Sequence, residues 1–250
     1  MLTNTTMKVF RHILFWCGVM LLSLAAAAAA DDYAQARQQL LELIQQDVRD
    51  TSLYLDKEAL DPRVMATIGK VPRHRFVPAA QRHKAYLNRP LPIGYGQTIS
   101  QPYIVALMTA ELFAEGARNK VLEIGTGCGY QAAVLASFAS QVYSIERIEK
   151  LYRQARDRLY DLRIRNVKCL HADGFEGLPD EAPFDGILAA AASGNIPGAL
   201  LDQLAPNGRL VMPVDTGRAQ TLIVVDNTPD GFVKREVEAV KFVPRVSGTS

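Results

Sequence analysis

The sequence predicts an α/β fold: a doubly wound, mostly parallel sheet of about seven strands, with an N-terminal helical extension and a C-terminal antiparallel hairpin. Three observations predict it. From Lys120 onward, short β-branched runs alternate with helix-length stretches, which is the pattern of βαβ units. The first of those runs leads straight into a tight cluster of glycines, Gly125, Gly127 and Gly129, as a strand-to-helix turn requires. Near the C-terminus, two strand-like runs flank Pro229-Asp230-Gly231, a hairpin signal.

Each element follows in order. Residues 33–48 place Leu40, Leu41, Leu43, Ile44 and Val48 among Gln, Arg and Glu, the spacing of an amphipathic helix. Asp61-Pro62 is a helix start, an N-cap followed by proline at the first position, and Gly69 is read as the stop. Residues 71–99, rich in Pro, Gly and Arg, read as a long ordered loop around a short helix. Ser100 takes the cap position of a helix running from Gln101 to Glu115. Strands are expected at 121–124, 141–146, 167–170, 186–190 and 209–213, helices at 130–139, 149–162 and 196–204, and closing strands at 221–226 and 232–243.

Composition narrows the function classes. With 28 basic and 26 acidic residues the formal charge is +2, too near neutral for a nucleic-acid binder held by a basic face. Cys17, Cys128 and Cys169 form no C-x-x-C pair, so neither a zinc site nor a disulfide framework is expected, and no metal is implied. Residues 1–30 differ from the rest. Lys8, Arg11 and His12 precede an apolar run from Ile13 to Leu24 and six alanines, and no acid occurs before Asp31. That order reads as a secretory signal peptide cleaved after Ala30; an 18-residue membrane anchor over 13–30 is the competing reading. The excess charge resides in Lys8 and Arg11, so residues 31–250 are formally neutral. The expected organisation is a signal at 1–30 and one domain at 31–250. That domain comprises a helical extension and substrate loop (31–100), an α/β core (101–215) and C-terminal strands (216–250). Export to the periplasm is expected, with a cytoplasmic location as the alternative.

The most informative stretch is V-L-E-I-G-T-G-C-G-Y, Val121 to Tyr130. Glycines let backbone approach a ligand without side chains in the way. Glu146 closes the next strand, where a carboxylate can accept both hydroxyls of a ribose. The spacing G-x-G-x-G differs from the G-x-G-x-x-G of dinucleotide binders. Glu123 adds a negative charge that would repel a pyrophosphate and suit a sulfonium and an amino group. After the third strand, Ala172-Asp173-Gly174 offers a short acid for an adenine amine. Cys128 reads as a small spacer, since no basic neighbour in sequence would activate it. Asp185 reads as a structural or cofactor-side acid, and His83 and His171 as a surface residue and a strand end.

The glycine loop with its acids resembles a class I S-adenosylmethionine-dependent methyltransferase, of Rossmann-like fold. Just upstream lies L-P-I-G-Y-G-Q-T-I-S-Q-P-Y, Leu91 to Tyr103. With it, the sequence resembles the protein-L-isoaspartate O-methyltransferase family. The likeness runs through V-P-R-H-R-F-V-P (Val71 to Pro78), A-Y-L-N-R-P (Ala85 to Pro90), A-P-F-D-G-I-L (Ala182 to Leu188) and F-V-P-R-V (Phe242 to Val246), so it covers roughly 50–248. Arg245 stands where an apolar residue is more usual in the family, and Ser193-Gly194-Asn195 replaces a more proline-rich loop.

The resemblance implies methyl transfer from S-adenosyl-L-methionine to the α-carboxylate of L-isoaspartyl residues in damaged proteins and peptides. It implies Ser100 as the active-site residue, with Gln97, Thr98 and Ile99 beside it at the substrate. It also implies Glu123, Gly125, Thr126, Gly127, Gly129, Glu146, Asp173 and Gly174 at the cofactor. A monomer without nucleic-acid or stable membrane partners is expected. Two other readings stay open: a methyltransferase for a different carboxylate, and a non-catalytic binder of isoaspartyl protein. Ser100 or Thr98 could orient the carboxylate by hydrogen bonding, and Ser100 could equally serve only as a helix cap.

Overall fold

The computed structural model describes residues 33–244 and 246–250. The proposed signal, with Trp16 and Cys17, and Arg245 lie outside the described residues. The chain divides into two compact units at Gln39/Leu40. Of the first, residues 33–39 are described and carry the start of helix α1 (Ala34–Asp50), with Leu40, Ile44 and Val48 of that helix buried in the second unit.

The second unit holds all the remaining elements. Seven strands form one sheet: β3 (Arg118–Ile124), β4 (Ala139–Glu146), β5 (Val167–His171), β6 (Phe184–Ala189), β7 (Leu204–Asp215), β8 (Gln220–Thr228) and β9 (Gly231–Val240). Their order is β5-β4-β3-β6-β7-β8-β9. The first five are parallel, and β7–β8 and β8–β9 are antiparallel. The predicted seven strands and closing hairpin are present; six are longer than expected, by one to seven residues, whereas β9 is shorter and ends at Val240. The order reverses direction beside β3, which pairs with β4 on one side and β6 on the other. In open α/β sheets, the carboxyl ends of strands at such a switch point form a crevice that binds ligands.

The core alternates with the pleat. Leu122, Ile124, Ile145, Ile187, Ala189, Leu210, Met212, Val214, Ile223 and Val225 cluster on one face with Phe184, Leu200 and Leu204. At about 25 cal/mol per Å² of apolar surface, burial of side chains this large is the main force that holds the sheet. Helix Pro102–Leu112 covers β6 and β7; it is almost wholly buried, so it shows little amphipathic patterning. Helix Glu149–Asp161 packs on β4 and β5 through Leu151, Ala155 and Leu159.

Several sequence expectations shift. Gly69 lies inside the helix Pro62–Lys70 rather than ending it, and an added Cβ there would come within 3.1 Å of Leu41 Cδ1, so its smallness permits helix–helix contact. Asp61 caps that helix as read, accepting from the Arg63 backbone N–H. The helix at 130–139 ends at Leu135, because Ala139 is already the first residue of β4. The helix at 196–204 is one turn, Gly198–Leu201. Residues 71–99 hold two 3₁₀ turns, Arg73–Arg75 and Ala79–Lys84, and a small hairpin, β1 (Leu91–Gly94) with β2 (Gln97–Ile99). Gln101, not Ser100, is the cap residue of helix Pro102–Leu112; its own side chain makes no capping bond, and Asn88 Oδ1 accepts from the Tyr103 N–H at 3.0 Å.

Candidate active site

The glycine loop leaves β3 at the switch point. Gly125 and Gly127 have φ of +90° and +55°, conformations that side-chain-bearing residues rarely adopt. A Cβ at Gly125 would meet Ala190, and one at Gly127 would meet Ile93 Cδ1 at 3.4 Å. Gly129 opens helix Tyr130–Leu135 and lies against Ala155 and Leu159, so it serves packing. The loop is tied down from β4: the Gly125 and Thr126 N–H groups donate to the Ile145 carbonyl, at 2.8 and 3.1 Å.

Glu146 ends β4 and is 5% exposed. Its Oε2 accepts from Gly127 N–H at 2.8 Å and its Oε1 from Ile148 N–H at 2.9 Å. Each oxygen keeps a second lone pair for a ligand. Gly125, Thr126, Gly127, Glu146, Gly174, Gln97, Thr98, Ile99 and Ser100 all line one inner cavity at the carboxyl ends of the strands. A side chain at Gly174 would collide with Ile124 Cγ2, which explains a glycine in that wall.

Two predicted acids do not reach this cavity. Glu123 points into the protein, wholly buried, where its Oε2 accepts from Ser144 Oγ. Burial pushes its pKa up to about 8, and Glu146 nearby adds to the rise, so at neutral pH it is a neutral carboxyl and not the expected charge. Ser144 also hydrogen-bonds Thr126 Oγ1, at 2.5 Å, so Glu123 braces the loop from behind. Asp173 is not among the residues of the cavity wall; its Oδ1 accepts from Phe175 N–H and its Oδ2 from Gly248 N–H, at 2.9 and 2.6 Å, which ties the C-terminal segment to the end of β5.

Sequence reading missed other parts of the wall. Ala190, Ala191, Val243, Pro244 and Val246 line the inner cavity. The C-terminal segment is brought there by a bridge between Ala192 and Pro244, with Ala192 N–H donating to the Val243 carbonyl at 2.9 Å. The F-V-P-R-V segment was the available signal, though nothing local in it says where it docks.

A second, open groove of about 670 Å³ adjoins the first and shares Thr98, Ser100, Ala190 and Val243 with it. Its far side is formed by Asp47, Thr51, Tyr103, Glu238 and Lys241, among others. Neither His83 nor His171 lines either space; His83 is exposed and His171 hydrogen-bonds the Arg147 carbonyl. Burial pushes the Cys128 thiol up, which suits a spacer and not a nucleophile. Asp185 accepts from Asn119 and Lys120 N–H at the amino ends of the strands, a structural role. Among the described residues no group of His, Cys, Asp and Glu could hold a metal ion, and no helix is long and apolar enough to cross a membrane.

The site therefore combines a side-chain-free cradle and a fixed carboxylate on one side with an open groove on the other. The bare loop and Glu146 fit a nucleoside ligand. Comparison with known proteins agrees with the fold. The family model described as Protein-L-isoaspartate(D-aspartate) O-methyltransferase (PCMT) matches residues 50–250. Protein-L-isoaspartate O-methyltransferase 2 of Syntrophobacter fumaroxidans is 51% identical over 236 residues, 92% of this chain and 95% of that protein. A solved protein-L-isoaspartate O-methyltransferase superposes with a TM-score of 0.73 at 23% identity, covering 84% of this chain and 66% of that one. A Plasmodium falciparum structure in complex with S-adenosyl-L-homocysteine superposes with a TM-score of 0.66 at 23% identity, covering 81% of this chain and 96% of that one. By the family match and the close relative together, this chain belongs to the protein-L-isoaspartate(D-aspartate) O-methyltransferase family.

Proposed function

We infer that this chain transfers a methyl group from S-adenosyl-L-methionine to the α-carboxylate of L-isoaspartyl residues in damaged proteins and peptides. One observation carries the reading: the cavity with the bare glycine loop and Glu146 meets an open groove at Thr98 and Ser100. Family membership supports the same reaction.

When bound, S-adenosyl-L-methionine supplies a methyl group on a positively charged sulfur. Gly125, Thr126 and Gly127 would hold it against unobstructed backbone, and Glu146 would accept from the ribose hydroxyls on its free lone pairs. Ser100 and Thr98 hydroxyls donate to the substrate carboxylate and turn one oxygen toward the shared opening. A carboxylate is already ionised at neutral pH, so no general base is required, and neither histidine described above is placed to act as one. The protein contributes alignment and exclusion of water. The product methyl ester loses methanol far more readily than a carboxylate loses oxide, so the neighbouring backbone nitrogen closes a succinimide that opens in water partly to normal aspartate.

Incubation with labelled cofactor should put label into an isoaspartyl peptide and not into its aspartyl twin. Label in both peptides points to a general carboxylate methyltransferase and label in neither to a binder, and either result overturns the reading. We also propose export, on the basic, apolar and small-residue order of residues 1–30. N-terminal sequencing of protein taken from cells should then begin near Asp31; an intact start at Met1, or at Met7 as the alternative initiator, refutes it.

A further inference from the structure

The segment V-P-R-H-R-F-V-P contributes no residue to the inner cavity, yet its Arg73 is completely buried directly behind that cavity's wall. Nε donates to the Ala85 carbonyl at 2.9 Å and Nη2 to the Ser100 carbonyl at 2.7 Å. The guanidinium lies over the Tyr130 ring, 4.8 Å from its centroid. Nη1 and the Tyr130 hydroxyl are buried and have no well-aligned hydrogen-bond partner, although the two side chains interact with each other. No ion pair of the described residues includes Arg73, and the titratable groups that act on it are Tyr130, Cys128 and Tyr86, none of them a carboxylate.

A guanidinium stays charged in proteins, and a buried charge without a counterion is strongly unfavourable. Tyr130 and Ser100 both line the inner cavity, and Ser100 opens into the groove as well. Covalent geometry places Nη2 within about 7 Å of Ser100 Oγ. A carboxylate held at that hydroxyl would be the anion the guanidinium lacks.

We propose that Arg73 is a positioning residue that selects an ionised substrate carboxylate: it fixes Ser100 by its carbonyl and provides the positive charge that the bound carboxylate completes. The proposal rests on the carboxylate methyltransferase reading above. Methyl transfer removes the carboxylate's charge, so Arg73 favours the bound substrate over the transition state. Its loss should raise KM and leave kcat unchanged or slightly higher.

The test uses Arg73→Gln, which removes the charge, and Arg73→Lys, which retains it. With S-adenosyl-L-homocysteine present, binding of an isoaspartyl peptide is compared with binding of its α-carboxamide twin. Arg73→Gln should lose about tenfold of the preference for carboxylate over carboxamide and raise KM about tenfold, with kcat within about threefold. Arg73→Lys should keep the preference within about threefold, and both variants should bind S-adenosyl-L-homocysteine as the wild type does. A preference kept by Arg73→Gln, an equal loss for both peptides, or failure of both variants to bind S-adenosyl-L-homocysteine would assign Arg73 to the fold alone. If the wild type methylates no isoaspartyl peptide, the functional reading falls and takes this inference with it. If it does, and Arg73→Gln still discriminates, only the inference falls.

Discussion

At both ends of the parallel strands a carboxylate is clamped by two backbone N–H groups. At the carboxyl ends, Glu146 accepts from Gly127 and Ile148; at the amino ends, Asp185 accepts from Asn119 and Lys120. The hydrogen-bond lengths are alike, 2.8 to 3.0 Å. Only the surroundings differ. Glu146 borders a cavity entered through glycines at positive φ, whereas Asp185 joins the start of β6 to the start of β3 beside Arg118, which itself donates to the Asp185 carbonyl. A well-bonded acid therefore marks a site only where backbone has been cleared of side chains next to it.

The largest expected effect breaks that clearance. Gly127→Val puts a β-branched side chain at φ +55° and into Ile93. Left-handed strain and the filled cradle should together lower affinity for S-adenosyl-L-homocysteine by about a hundredfold or more. Calorimetric titration measures it, and unchanged affinity would mean the loop does not hold the ligand. Ser100→Ala comes next. A hydrogen bond to a charged group is worth about 1.5–3 kcal/mol, so kcat/KM for an isoaspartyl peptide should fall about 10- to 100-fold. Affinity for S-adenosyl-L-homocysteine should stay within about twofold, which separates loss of the substrate contact from general damage. Full activity would remove Ser100 from the reaction.

The paired acids give a smaller and sharper contrast. Glu146→Gln should weaken S-adenosyl-L-homocysteine binding by about tenfold, because an amide has one acceptor oxygen where the carboxylate has two. Asp185→Asn should leave that affinity unchanged and lower stability by about 1 kcal/mol, read from denaturant unfolding. The opposite pattern would show that the two ends of the sheet have been assigned the wrong way round.

How much of this was legible from the chain depends on distance along it. The strands and the glycine loop were readable because β-branched runs and glycine spacing are local signals, and the same holds for Gln97 to Ser100, which lie together on one short strand and its end. Pro92, Gly94 and Gly96 are poor strand formers, so local sequence predicts loop where the hairpin β1–β2 forms. The propensity of Ala139 favours a helix, which the pairing of Arg118 with Ala139 across β3 and β4 overrides. Ala190, Val243 and Pro244 meet the site only through tertiary contacts, so nothing local could place them. Glu123 was the instructive error. Next to the loop in sequence, it points to the face of β3 opposite Leu122 and Ile124, which is buried as theirs is, and its neutral state follows from burial that sequence does not display.

That error yields the smallest expected effect on activity and the clearest dependence on pH. Glu123→Gln keeps the shape and the neutral state, so methyl transfer at pH 7 should change by less than about twofold. Stability should behave differently. Below the ordinary carboxyl pKa of 4.5 the group is neutral in both folded and unfolded chains, and its burial carries no penalty for charge. Between 4.5 and about 8 the unfolded chain has released the proton while the folded chain retains it, so stability falls as pH rises through that window, then levels off. Glutamine has no proton to release. The melting temperature of Glu123→Gln relative to wild type should therefore climb from pH 5 to pH 8 and stay constant above it. A difference that does not vary with pH would mean that Glu123 is already ionised in the folded protein. It would then be a second charge beside Glu146 at the carboxyl ends of the strands, and the contrast between a cavity-facing acid and a bracing one would not hold.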